Sequence, residues 1–211
     1  TGSGLVPPHR VKLAAFICFG VAGVAGLVLA LLTAWWLVLV GAAAIAGAWF
    51  YTGGKNPYGY RGLGEVAVFV FFGLVAVLGT EFSQAGRISW MGVVGAVAIG
   101  SISAAVNLAN NLRDIPSDTE AGKVTLAVRL GDSLTRKVWV ALASMPLLGS
   151  IALAFATPLA LLGIVAAPLL FVAAQPVIRG AKGPDLIPVL GLTGRAMLMW
   201  AVVTAVVLGL N

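Results

Sequence analysis

The residues best equipped for chemistry lie in one stretch, Asn107-Leu-Ala-Asn-Asn-Leu-Arg-Asp-Ile-Pro-Ser-Asp-Thr-Glu-Ala-Gly-Lys123. It begins inside a long apolar segment and leaves it through amides, then charges. Polar groups are costly at such a place, which marks them as functional candidates. On a helix, Asn107, Asn111, Asp114 and Asp118 fall within about 60° of one another, a single stripe with Asn110 at its edge. Pro116 has no N–H, clashes with the carbonyl four residues back and pushes Ile115 away from α geometry. The span is therefore expected to end or kink near Asp114. Ser117-Asp-Thr-Glu120 reads as a capping box opening a second, short helix. Gly131 is expected to end that helix before Asp132 or Ser133 caps the next span. The two carboxylates then flank a bend at the membrane surface.

Two carboxylates there can hold a hard cation: Mg²⁺ takes one or two carboxylates and completes its shell with waters and substrate phosphates. Arg113, Lys123 and Arg129 from this stretch, with Lys55 and Arg61 from another loop, suit a phosphate-rich ligand, Arg as a fork and Lys as a point charge. An apolar bundle beneath would take a hydrophobic tail, so the combination describes a site for a lipid diphosphate. The competing reading is that Asp114 and Asp118 merely pair with Arg113 and Lys123. The other loop, Gly53-Gly-Lys-Asn-Pro-Tyr-Gly-Tyr-Arg-Gly-Leu-Gly-Glu65, is Gly-rich, aromatic and basic. Its glycines permit close backbone approach to a ligand. A plain interfacial loop with an aromatic belt is the alternative.

The elements that must position these groups follow from composition. The chain has 211 residues, 60% hydrophobic and 9% charged, against about 25% charged for a soluble domain. A bilayer core needs about 20 apolar residues per helix, and seven segments qualify. They run about Lys12 to Leu32, Ala34 to Tyr51, Glu65 to Thr80, Trp90 to Leu112, Val138 to Ala156, Leu159 to Ile178 and Ile187 to Leu210. The fold class is an all-α polytopic transmembrane helix bundle, read as one domain over residues 1–211. Trp35, Trp36, Trp49 and Tyr51 mark the ends of the second span. Many glycines recur near four-residue spacing, as in Gly20, Gly23 and Gly26 or Gly92, Gly95 and Gly100, which lets membrane helices approach closely.

The basic residues segregate. Arg10, Lys12, Lys55, Arg61, Arg113, Lys123, Arg129, Arg136, Lys137, Arg179 and Lys182 fall on one side, Arg87 falls alone on the other, and Arg195 lies inside the last span. The positive-inside rule makes the first side cytoplasmic and puts Asn211 outside. Because the net charge of +6 sits in these short loops, it argues for membrane topology and no nucleic acid. Arg195 is expected to neutralise an acidic group or to line the cavity near the surface. Cys18 reads as a small buried hydrophobe, His9 as a solvated residue, and Trp139, Met197 and Trp200 as packing residues. Buried asparagines also suit a small transporter. Its polar groups would be spaced through the membrane depth, whereas here they gather at one surface, as in an interfacial enzyme.

Asn110-Asn-Leu-Arg-Asp114-Ile-Pro-Ser-Asp118 with Ala121-Gly-Lys-Val-Thr-Leu-Ala-Val-Arg-Leu-Gly131 resembles the second aspartate-rich motif of the UbiA-type intramembrane prenyltransferases. Lys55-Asn-Pro-Tyr-Gly-Tyr-Arg-Gly-Leu-Gly-Glu65, with Tyr51, resembles the loop of their 1,4-dihydroxy-2-naphthoate branch in menaquinone biosynthesis. The resemblance implies a nine-helix bundle in a bacterial inner membrane with two aspartate-rich motifs on the cytoplasmic side. Mg²⁺ would bridge them to a polyprenyl diphosphate, and an aromatic carbon would attack the allylic cation and lose its carboxylate as CO₂. Carried over, Asp114 and Asp118 would be metal ligands, acting in catalysis with Lys123. Asn107, Asn110, Asn111, Arg113, Arg129, Lys55, Tyr58, Tyr60, Arg61 and Tyr51 would bind substrate. Another aromatic or tetrapyrrole acceptor is the nearer rival. The first motif, Asn-Asp-x-x-Asp-x-x-x-Asp, has no match, since no acidic residue precedes Glu65. Thr1-Gly-Ser-Gly-Leu-Val-Pro-Pro resembles the family's segment immediately C-terminal to that motif. The seven spans then correspond to the family's third to ninth helices, an N-terminally incomplete domain expected not to hold the full metal site alone.

Overall fold

The computed structural model describes residues 5–210; the first four residues of the stretch likened to the family's post-motif segment, and Asn211, lie outside the described residues. Among the described residues every regular element is a helix. Six of these helices are long and apolar enough to cross a membrane, and a shorter apolar helix, Leu37–Thr52, takes the place of the second expected span. The all-α polytopic bundle expected from composition is what folds. Cα packing divides the chain into two compact units, Thr1–Trp49 and Phe50–Asn211.

The first unit holds α1 (Pro8–Leu32) and most of α2 (Leu37–Thr52). Pro8 opens α1, a position where a missing N–H costs nothing. Phe16 and Trp49 stack at 5.5 Å between ring centroids. Two expectations fail here. Cys18 is exposed rather than buried, because α1 is accessible along almost its whole length, with only Ala30 buried. Nothing lies within 4 Å of where a Cβ on Gly20, Gly23 or Gly26 would stand. These glycines do not mediate a close crossing, and Gly23 and Gly26 instead line an apolar groove shared with α2.

The second unit contains α3 (Gly64–Ala85), α4 (Trp90–Arg113), the short α5 (Ile115–Glu120), α6 (Leu126–Leu153), α7 (Pro158–Ile178) and α8 (Ile187–Gly209). Lipid offers apolar residues as good a home as a core does, so close packing of small residues must hold such helices together. In α3 and α4 it does: a Cβ on Gly73 would stand 2.5 Å from the Gly100 Cα. Around this crossing α3 widens into a π-helical stretch, Phe69–Leu78, a local form the apolar pattern does not announce. Ser89 caps α4 by accepting from the Gly92 N–H at 3.0 Å, and Glu81 in turn accepts from Ser89 N at 3.1 Å.

The buried centre gathers residues of α4, α6, α7 and α8, including Ile102, Leu108, Trp139, Leu153 and Trp200. The expected packing role of Trp139 and Trp200 holds, and the Trp200 indole N–H donates to Ser150 Oγ at 2.9 Å. Met197 meets Ser103, whose hydroxyl donates to the thioether at 3.3 Å. Arg136 does more than add to a basic loop. It grips Asp132 through Nε and Nη2, both at 2.7 Å. It also donates to the Val177 and Ala181 carbonyls at 2.7 and 2.8 Å, closing the end of α7 that lacks partners for its last carbonyls. Arg195 is exposed on α8 and makes no ion pair among the described residues, against the expectation that it neutralises an acid or lines the cavity.

Candidate functional site

The bend expected near Asp114 is present, but its local chemistry differs. Asp114 closes α4 and opens α5 at once, so Ser117 is not an N-cap; its hydroxyl donates to the Asp114 carbonyl at 3.0 Å. Pro116 in the first turn of α5 needs no N–H partner, which lets the helix restart without the capping box. Nor does Gly131 end α5. That helix stops at Glu120, and α6 begins at Leu126 with Thr125 as N-cap. Gly131, at φ 72°, does break the helix just before the expected fifth span, but the piece it ends is the first turn or so of α6 rather than α5. The result is a tight return, in which the Lys123 N–H donates to the Asp118 carbonyl at 2.8 Å across Gly122.

The two loops singled out in the sequence are joined here. Val124 N–H donates to the Tyr60 carbonyl at 3.0 Å, and the Lys123 ammonium sits 4.9 Å from the centre of the Tyr60 ring. Gly59 is required by contact: a Cβ there would stand 2.6 Å from the Tyr51 carbonyl oxygen. Tyr58 packs edge-on against Tyr51 at 5.6 Å, and burial pushes its phenol above the ordinary value, so it stays protonated at neutral pH. A cavity of about 290 Å³ results, lined by Tyr51, Gly59, Tyr60, Asn107, Asn110, Asn111, Asp114, Asp118, Lys123 and Thr125.

The ion pairs offered as the competing reading are also present. Arg113 lies side-on against Asp114, Nε to Oδ1 and Nη2 to Oδ2 both at 2.7 Å, and its Nη2 also donates to Asn110 Oδ1 at 2.8 Å. Lys123 reaches Asp118 Oδ1 at 3.4 Å, and the Asp118 side chain is only 10% exposed. The pairs do not cap the cavity, because Asp114, Asp118 and Lys123 still line it. Lys55, Arg61 and Arg129 are exposed outside its lining. Arg129 lies over Gly62, where a Cβ would stand 2.9 Å from its Nε. Arg113 and Tyr58 lie behind lining residues, against Asp114 and Tyr51.

The donor set fits a magnesium ion shared with a phosphate. It offers hard oxygens from two carboxylates and neighbouring amides around an open volume. Among the described residues no group of three or more His, Cys, Asp or Glu could hold a metal, so ligand oxygens and water would complete the shell.

One residue escaped sequence reasoning. Glu65, the last residue of the glycine-rich loop, is 4% exposed. Its Oε1 accepts from Asn107 Nδ2 at 3.2 Å and from Asn111 Nδ2 at 2.6 Å. An acid opening an apolar helix was the available signal.

Residues 3–190 match the model of the UbiA prenyltransferase family. The chain belongs to that family. It is a membrane-bound prenyltransferase, as the motif resemblance led one to expect. It is 55% identical over 204 residues to a 1,4-dihydroxy-2-naphthoate octaprenyltransferase of Mycobacterium tuberculosis, covering 97% of this chain and 70% of that protein. The identically named protein of Mycobacterium leprae is also 55% identical, over 97% of this chain and 69% of its own length. The Escherichia coli protein of that name is 45% identical over 47% of this chain and 32% of its own length. With helices of membrane-spanning length, this UbiA-family chain is an integral membrane protein.

Proposed function

We propose that this UbiA-family protein transfers a polyprenyl group from its diphosphate to 1,4-dihydroxy-2-naphthoate, with loss of CO₂, to give demethylmenaquinone. The observation that carries the reading is the joined pair of loops: carboxylates, amides, a lysine and tyrosines around one cavity. The names of the mycobacterial relatives supply the acceptor and the prenyl donor class. We read both units as parts of one prenyltransferase domain, supported by a family match that runs across residues 3–190. The clustering of basic residues on the cavity's side supports an active site facing the cytoplasm of a bacterial inner membrane.

In this reading Asp114 and Asp118 would hold Mg²⁺, which when bound would supply positive charge to offset that of the leaving diphosphate. Arg113 fixes the Asp114 carboxylate from behind. Lys123, held over Tyr60, places a positive charge beside Asp118 and stabilises the departing diphosphate as the prenyl C–O bond breaks. Lys55, Arg61 and Arg129 gather the anionic substrate at the mouth. Tyr51 and Tyr60 wall the cavity with aromatic faces, which favour a developing allylic cation, and Tyr58 backs Tyr51 edge-on. Asn107, Asn110 and Asn111 orient polar groups of substrate within it. The new bond forms between the allylic carbon and the ring carbon that carries the carboxylate. The electron pair of the lost C–CO₂ bond restores the aromatic ring.

The test is an acceptor panel. Full-length protein in membranes, given Mg²⁺ and a polyprenyl diphosphate, should prenylate dihydroxynaphthoate, with a product mass showing CO₂ lost. Transfer to 4-hydroxybenzoate or a haem precursor instead would replace this reading with another branch of the family.

A further inference from the structure

We propose that Glu65 is a positioning residue. It turns the Asn107 and Asn111 amides so that their carbonyl oxygens face the cavity and accept hydrogen bonds from the two ring hydroxyls of the aromatic acceptor. The inference rests on the functional reading above and adds to it a specificity element.

Glu65 lies in the first turn of α3 and is buried; Asn107 and Asn111 lie one turn apart on α4. One carboxylate oxygen, Oε1, takes the N–H of both amides. An asparagine amide carries its donor and its acceptor on separate branches. Each Nδ2 gives one N–H to Glu65, and the Asn107 side chain also hydrogen-bonds Tyr51; turning the nitrogen branch toward Glu65 leaves Oδ1, on the opposite branch, as the acceptor to offer elsewhere. Both asparagines line the cavity and Glu65 does not, so the cavity side receives acceptors. A close approach of the chain keeps the arrangement fixed. A Cβ on Gly64 would stand 3.2 Å from both Asn107 Nδ2 and the Tyr51 hydroxyl, so the glycine lets α3 come in against both.

Residues four apart on a helix stand about 5–6 Å apart at Cβ, comparable with the span between two para oxygens across an aromatic ring. A 1,4-diol can therefore donate one hydroxyl to each asparagine, while a monohydroxy ring satisfies only one and leaves the other carbonyl bare. Along the stripe, Asp114 follows Asn107 by seven residues, a rise of about 10 Å on a helix. Acceptor recognition at the amides and diphosphate recognition at Asp114, Asp118 and Lys123 thus occupy successive levels of one cavity.

Glu65→Leu removes the anchor, and Glu65→Gln keeps it. Glutamine retains an oxygen in the place of Oε1, and its nitrogen replaces Oε2, which makes no hydrogen bond among the described residues. Steady-state kinetics of the full-length protein in nanodiscs, varying dihydroxynaphthoate and polyprenyl diphosphate separately, tests this. Glu65→Leu should raise the acceptor KM about tenfold or more, the scale of two lost neutral hydrogen bonds, with the donor KM within about twofold. It should also lose the preference for the diol over a monohydroxynaphthoate. Glu65→Gln should restore both values to within about threefold of the unaltered protein. An unchanged acceptor KM in Glu65→Leu, an equal rise in the donor KM, or a Glu65→Gln as impaired as Glu65→Leu would each overturn the proposal. Should Glu65→Leu fail to fold, Asn111→Leu with Glu65 intact must raise the acceptor KM selectively, and its failure to do so overturns the proposal equally. If the unaltered protein prenylates another acceptor and not dihydroxynaphthoate, the functional reading falls first, and this inference with it.

Discussion

Arg113 holds Asp114 by two parallel hydrogen bonds of 2.7 Å, one to each carboxylate oxygen. The bend after Arg113 turns the aspartate back beside the guanidinium, and Asn110 braces the same nitrogen. The aspartate is thereby aimed before any ligand arrives. Removing such an outer partner typically weakens metal affinity by about 10–100-fold. Arg113→Ala should raise the Mg²⁺ concentration for half-maximal transfer at least about tenfold. Arg113→Lys should recover little of it, since an ammonium cannot form the fork. A magnesium titration of each variant checks this.

Gly59→Ala tests the joining of the two loops. Its Cβ would stand 2.6 Å from the Tyr51 carbonyl, a backbone atom that cannot swing aside. Overpacking of this kind costs about 1–3 kcal/mol. The variant should melt at a lower temperature in detergent and bind diphosphate more weakly, because Tyr60 and Lys123 move with the loop.

Ser150→Ala should separate stability from activity. Ser150 accepts from the buried Trp200 indole, and losing the acceptor leaves a buried N–H unpaired at a cost of about 1–3 kcal/mol. Ser150 does not line the cavity. Thermal unfolding should shift down while the KM values for both substrates stay unchanged.

Arg136→Met should behave likewise and more severely. It strands the Val177 and Ala181 carbonyls together with Asp132, and loss of at least about 2–3 kcal/mol is expected from several unpaired groups. Arg136→Lys should rescue only part, because one ammonium cannot reach three acceptors in the plane of a guanidinium. Denaturation in mixed micelles checks both.

Much of the fold is legible because apolar length has one meaning in a bilayer. The ends of α4, α7 and α8 fall within a few residues of where composition puts them. What is not legible depends on contacts far apart in the chain. In sequence Glu65 reads as the end of a loop, since its partners stand 42 and 46 residues away. The π-helical widening of α3 surrounds the Gly73–Gly100 crossing, a long-range contact that no local pattern encodes. Ser117 fails as a cap because Pro116 makes the cap unnecessary. Cys18 reads as buried from its place in an apolar run, which in lipid says nothing about which way a side chain faces. The stripe from Asn107 to Asp118 survives because helical periodicity continues, in effect, through a bend of a single residue at Asp114.

Asp118, buried beside Lys123, is proposed above as part of a metal–diphosphate site. Prenyl transfer by full-length Asp118→Asn, followed across a Mg²⁺ titration with folding checked by thermal unfolding, tests it most directly. The expected variant is a folded protein whose transfer rate falls at least about 100-fold and is not restored by excess magnesium. Full transfer by the variant, or transfer by the unaltered protein after chelation of all divalent metal, would contradict it.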